Sequence, residues 1–102
     1  MSLKKKYLTS KEVCKVTFRL PCDAAKEAAA VNLVGDFNGW DRKAHPMKRL
    51  KKGDYTITID LVPGTAYEFR YLIDGARWEN DWCADRYVPS QYPYCDNSVV
   101  ET

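Results

Sequence analysis

The amino-acid sequence predicts an all-β fold, an antiparallel sandwich, and three observations carry that expectation. Apolar and polar residues alternate with period two at Val13–Leu20, Tyr55–Leu61 and Tyr67–Ile73. Turn-forming pairs punctuate these stretches at Asn38-Gly39, Pro63-Gly64 and Asp74-Gly75. No segment shows a helical period; the alanine-rich run Asp23–Ala30 is too short to hold a helix on propensity alone. Six to eight short strands at regular spacing without a convincing helix point to an immunoglobulin-like β-sandwich.

In chain order, Lys4-Lys5-Lys6 reads as a solvated, frayed start, and residues 1–12 as an N-terminal extension of a single domain over 13–102. Cys14, Val16, Phe18 and Leu20 then share one face of a half-buried strand, which Pro21 ends. Asp23–Ala30 is expected to cross irregularly, as a loop or a single turn. Val31–Val34 is a mostly apolar, central strand that stops at Gly35, where the backbone bends or approaches a neighbour closely. The Asn38-Gly39 turn delivers Trp40, and Pro46–Leu50 is a candidate short strand. Lys51-Lys52-Gly53-Asp54 has hairpin character and leads into Tyr55–Leu61, the clearest strand of the chain. The strand Tyr67–Ile73 ends at Asp74-Gly75, after which Ala76, Arg77 and Trp78 begin a return. Glu79–Asn97 has no clean period and reads as a long functional or mobile loop holding Trp82, Tyr87, Tyr92 and Tyr94. Ser98–Thr102 is β-branched enough to close the sheet.

Composition narrows the partners. At 102 residues the chain suits one domain that buries roughly two-thirds of its unfolded surface without staples. Sixteen Lys plus Arg against 14 Asp plus Glu leave a charge of +2, far from the basic balance of a nucleic-acid binder. No stretch approaches the roughly 18 consecutive apolar residues of a membrane span, and the N-terminus lacks an apolar signal-type segment, so a cytoplasmic address is expected. Nucleic acid and membrane are therefore not expected partners. Cys14, Cys22, Cys83 and Cys95 show no C-x-x-C spacing and His45 is the single histidine, so no metal is expected. The cysteines read as free thiols, with Cys14 a small core residue.

Catalytic chemistry finds no support. His45 precedes Pro46 in a charged, turn-like stretch and reads as a surface residue. Asp36, Asp41, Asp74, Asp81 and Asp85 stand where aspartate bends and caps backbone. No phosphate-binding glycine motif occurs, so no cofactor is expected and the chain does not read as an enzyme. What remains is an aromatic pattern. Trp40 and Trp78 each lie past a turn, and alternation puts Arg70 on the face opposite Tyr67, Phe69, Tyr71 and Ile73. Indoles with a guanidinium suit a sugar polymer, because the C–H face of a pyranose packs on the ring while the planar fork reaches hydroxyls. The same spacing allows the tryptophans to be core residues, Trp40 sealing one end, and Arg70 to pair with a cross-strand acid such as Asp60. Spacing leaves both readings open.

The run Val31-Asn-Leu-Val-Gly-Asp-Phe-Asn-Gly-Trp40, the strand Tyr67–Ile73, Asp74-Gly75 with Trp78, and Asn97-Ser-Val-Val100, in that order, resemble carbohydrate-binding module family 48. That family includes the glycogen-binding domain of the AMP-activated protein kinase β-subunit and the N-terminal domains of isoamylases and branching enzymes. The similarity runs from about Val13 to Val100. It implies the early-set form of the immunoglobulin-like sandwich and a non-catalytic module for an α-1,4-linked glucan such as glycogen or maltooligosaccharide. It also implies a glucan site of Trp40, Arg70, Trp78 and Asn97, with Trp40 turned outward as the first of two glucose platforms. Three positions depart from the kinase pattern: Arg70 stands where the kinase domains have lysine, Trp78 lies one residue further from its turn, and Pro89–Cys95 differs. Tyr92 or Tyr94 is the expected substitute side wall there. A protein-interaction sandwich of the same fold, docking onto a glucan-metabolising enzyme or a kinase without binding sugar, is the alternative.

Overall fold

A computed structural model describes residues 3–90 and 96–102. Nine strands occur among them: β1 (Leu3–Leu8), β2 (Val13–Leu20), β3 (Val31–Gly35), β4 (Lys48–Arg49), β5 (Tyr55–Leu61), β6 (Ala66–Ile73), β7 (Arg77–Glu79), β8 (Arg86–Pro89) and β9 (Asp96–Glu101). They form two antiparallel sheets, one ordered β1-β2-β5-β4 and the other β3-β6-β9-β8, with β7 also paired to β6. This is the expected immunoglobulin-like sandwich.

The register explains the core. β2 and β5 pair Cys14 with Leu61, Val16 with Ile59, Phe18 with Ile57 and Leu20 with Tyr55, so two alternating faces become one apolar layer. Against it stand Val31 and Leu33 of β3, Phe69, Tyr71 and Ile73 of β6, and Val100 of β9. An aromatic edge locks the two layers, Phe18 of β2 meeting Phe69 of β6 at 5.0 Å edge to face, and within β6 Phe69 meets Tyr71 at 5.7 Å in the same geometry. The Tyr71 hydroxyl donates to buried Asp81 at 2.7 Å; burial first, then the nearby carboxylate, push its pKa well above the ordinary value.

Asp23–Ala30 forms short turns, with Ala24 and Ala25 donating to Pro21, and Cys14 is a buried free thiol, both as the sequence predicts. Elsewhere the structure departs from the reading. The lysine run is not frayed but lies in β1, paired with β2 from Leu3↔Phe18 to Leu8↔Val13. Ion pairing of Lys5 with Asp85 at 2.6 Å ties that edge to the opposite sheet. Glu79–Asn97 is not one loop: β8 lies inside it, paired with β9 through Arg86↔Val99 and Pro89↔Asp96. β1 and β8 account for the count exceeding six to eight. Tyr92, Tyr94 and Cys95 lie outside the described residues. Among those described, no helix is long and apolar enough to cross a membrane.

Candidate functional site

The sheet β3-β6-β9-β8 has an outer face, and strand register sorts its side chains into rows. Val34 stands opposite Arg70, while Asn32 and Trp78 both stand opposite Leu72. Glu68 faces Val99, which in turn faces Arg86. Neighbouring rows are two residues apart along β6, about 7 Å. Val34, Leu72 and Val99 are fully buried although they face away from the core, so the polar groups stand on an apolar floor.

Arg70 is on this outer face, as alternation predicts, but it is not exposed: only 9% of it is accessible. Its Nε donates to Asn97 Oδ1 at 2.7 Å, and Asn97 Nδ2 donates to Glu68 Oε1 at 2.9 Å. The acid reached through this amide is Glu68 of the same strand and not a cross-strand one, and Asp60 pairs instead with Lys15 on the other sheet. Both ends of Asn97 are engaged, which fixes the amide and aims the Arg70 fork. Arg70 Nη2 is buried and has no hydrogen-bond partner among the described residues. A shielded donor left unpaired in this way is costly.

Trp78 presents 37% of its surface, and the Arg42 guanidinium stands 5.5 Å from its ring centroid. This cation–π contact brings the loop after Trp40 over β7.

Trp40 is half-buried. The chain reaches it through a single 3-10 turn, Asp36–Asn38, and the positive φ angles fall on Gly39 (65°) and on Trp40 itself (59°), not on Asn38. A bulky residue in the left-handed region is strained and needs support from its surroundings. Asp36 supplies it: Oδ1 accepts the Trp40 indole N–H at 2.9 Å, and Oδ2 accepts the Glu68 backbone N–H at 2.8 Å. The indole is thereby clamped to β6. Asn38 serves by its side chain, accepting from Gly35 N and donating to Leu33 O.

Structure thus joins Arg70 and Asn97 directly and places Trp78 in the adjacent row. Trp40 is connected to the same strand through Asp36. Glu68, Arg42 and the Asp36 clamp escaped the sequence reading. Glu68 was legible as the residue two before Arg70 on the same strand face; Arg42 carried no signal. The other aspartates mostly bind backbone, Asp74 accepting from Ala29 and Ala30, but Asp81 is a buried partner of Tyr71 and not only a turn former.

A family model described as carbohydrate-binding module 48 (isoamylase N-terminal domain) matches residues 11–88. The chain belongs to carbohydrate-binding module family 48. It is also similar to the 1,4-alpha-glucan branching enzyme GlgB of Photobacterium profundum, 48% identical over 80 residues, or 76% of this chain and 11% of that protein. The GlgB of Butyrivibrio fibrisolvens is 43% identical over 66 residues, 63% of this chain and 10% of the relative. The chain therefore spans about a tenth of the length of these relatives. Within this family 48 module, β3, the 3-10 turn, β6 and β7 all lie inside the matched segment, whereas β9 with Asn97 follows it.

Proposed function

We propose that the outer face of β3-β6-β9-β8 is a non-catalytic binding site for an α-1,4-linked glucan such as glycogen or maltooligosaccharide. Glucose units stack on Trp40 and Trp78, and hydroxyls are held by Arg70 and Asn97. The observation that carries this reading is the buried Arg70 whose Nη2 lacks a partner, aimed by Asn97 and Glu68 beside the exposed Trp78 ring. Membership of a carbohydrate-binding family and similarity to proteins named for acting on 1,4-alpha-glucan support it.

Covering an indole face with one glucose unit removes about 80 Å² of apolar surface, roughly 2 kcal/mol at 25 cal/mol per Å². Two platforms supply about 4 kcal/mol, which barely offsets an association cost of at least about 4 kcal/mol. Hydrogen bonds from Arg70 and Asn97 set the surplus, so single-site affinity is weak, about micromolar to millimolar. A branched polymer compensates by presenting many chains to the module at high effective concentration.

Retardation in native gels containing glycogen or amylose tests the reading. Wild type is retarded, Trp40→Ala and Trp78→Ala are not, and no variant hydrolyses maltooligosaccharides. An unretarded wild type overturns the proposal, and retardation kept by both variants moves the site elsewhere. The second reading is a protein-interaction sandwich of the same fold that docks onto a glucan-metabolising enzyme or a kinase without binding sugar. That reading predicts complex formation that survives both tryptophan substitutions.

A further inference from the structure

The turn that carries Trp40 is bonded to a histidine through Asn38. Asn38 makes three side-chain bonds that together define its orientation. Gly35 N–H donates to Oδ1 at 3.1 Å, Nδ2 donates to Leu33 O at 3.0 Å, and the same Nδ2 lies 2.8 Å from His45 Nδ1. Exchanging oxygen and nitrogen would set two donors face to face at Gly35 and two acceptors face to face at Leu33. The atom next to His45 is therefore an amide nitrogen, which has hydrogens to give and no lone pair to receive with. His45 Nδ1 must accept, which requires a neutral ring with its proton on Nε2.

We infer that neutral His45 is a positioning residue for the Trp40 platform, and that protonating its Nδ1 loosens the turn and weakens glucan binding. Histidine is the side chain whose charge ordinarily changes between about pH 5 and 8. A proton on Nδ1 would point at the Asn38 amide hydrogens and remove the acceptor. Asn38 links Gly35, Leu33 and His45, and Gly35 O in turn accepts the Trp40 backbone N–H at 2.9 Å. The strained Trp40 conformation thus loses part of the frame that holds it.

The surroundings leave the imidazole little other use. It is half-buried, its ring meets Phe37 edge-on at 6.1 Å, and its carbonyl is fixed by Leu33 N–H at 2.9 Å. The charged groups lining the groove it shares are Lys15 of β2 and Asp60 of β5. These pair with each other at 2.9 Å, so neither offers an imidazolium an unshared counter-charge. Leu33 of β3 and Phe37 and Asn38 of the turn meet His45 with uncharged groups, and the carboxylate of that turn, Asp36, is engaged by the Trp40 indole and the Glu68 backbone N–H.

This inference rests on the glucan reading for its functional half and is independent of it for its chemical half. The experiment is a pair of titrations on the full chain between about pH 8 and pH 5, one by nitrogen NMR of His45 and the Asn38 amide, one of affinity for maltoheptaose. The expected result is an Nε2–H tautomer at pH 8, an Asn38 side-chain amide signal that shifts as His45 titrates, and a three- to tenfold loss of affinity, roughly, toward pH 5. His45→Asn, which places an amide oxygen near the Nδ1 position, should bind with a flat pH profile; His45→Ala should bind weakly throughout. An Nδ1–H tautomer at pH 8, an Asn38 amide blind to the titration, or a wild-type profile unchanged in His45→Asn overturns it. If maltoheptaose binds at no pH while the tautomer is as expected, the glucan reading fails and the His45–Asn38 assignment stands.

Discussion

Replacing Gly35 with alanine tests how tightly β3 and β6 are joined beneath the site. Gly35 is extended, with φ −174°, a conformation open to any residue, so the restriction is space alone. A Cβ there would lie 2.6 Å from the Glu68 carbonyl oxygen, 2.8 Å from Phe69 Cβ and 2.9 Å from Phe37 Cζ. The first two belong to the strand paired with Gly35 in register and cannot swing aside as a side-chain tip can. Overpacking of well-packed sites costs about 1 to 3 kcal/mol, and fixed partners put this one at the upper end, about 3 kcal/mol. A domain of this size loses about 4 to 8 °C in Tm per kcal/mol, so the melting temperature should fall by about 12 to 24 °C. Gly64→Ala is the control: its φ is +72° and nothing lies within 4 Å, so only backbone strain of about 1 to 2 kcal/mol is expected. Thermal unfolding followed by circular dichroism, with urea midpoints alongside, gives both numbers. A Gly35→Ala Tm loss no larger than that of Gly64→Ala would refute the close-approach argument. Since Gly35 O accepts from Trp40 N, glucan binding below the melting range should weaken as well.

Arg42→Ala frees the Trp78 ring of a guanidinium that a glucose unit must displace. An exposed cation–π contact is worth about 0.5 to 1 kcal/mol, so affinity for maltooligosaccharides should rise about two- to fivefold; unchanged or weaker binding contradicts competition. Asp54 tests the far sheet. Arg19 donates to its Oδ2 from Nε at 2.8 Å and Nη2 at 2.7 Å, and Cys22 N–H donates to Oδ1 at 2.8 Å, which holds the carboxyl below its ordinary range. A lowered pKa means that this stability is present above about pH 4 and is lost as acid protonates the folded state. The Tm gap between wild type and Asp54→Asn should be open at pH 7 and narrow as pH falls below about 4; a constant gap speaks against the assignment.

Much of the scaffold was legible because one sheet face is apolar and the other is not. β2 and β5 alternate apolar with polar residues along their length, and β6 does so from Tyr67 to Tyr71 before Leu72 breaks the pattern, so their inner faces could be written down from period two, and their turns were marked by Pro-Gly and Asp-Gly. β1 and β8 were missed because edge strands need no such pattern. Lys4 and Lys6 face solvent, Lys5 is tied to Asp85, and Arg86 reaches Glu101, so charge disguised both strands as loop.

The site divides in the same way. Residue types and order put Trp40 and Trp78 past their turns and Arg70 on the outer face of its strand, and the family resemblance added Asn97, which lies inside β9 and not before it. Tertiary structure decided what each one does in the free protein. It buried Arg70 and bonded it to Asn97 across 27 positions of chain, turned the Trp40 indole onto Asp36, laid Arg42 over Trp78, and set His45 against Asn38. Alternation reports only which face a side chain takes. Its hydrogen-bond partner depends on which strands lie side by side and in what register, and those are properties of the folded sandwich.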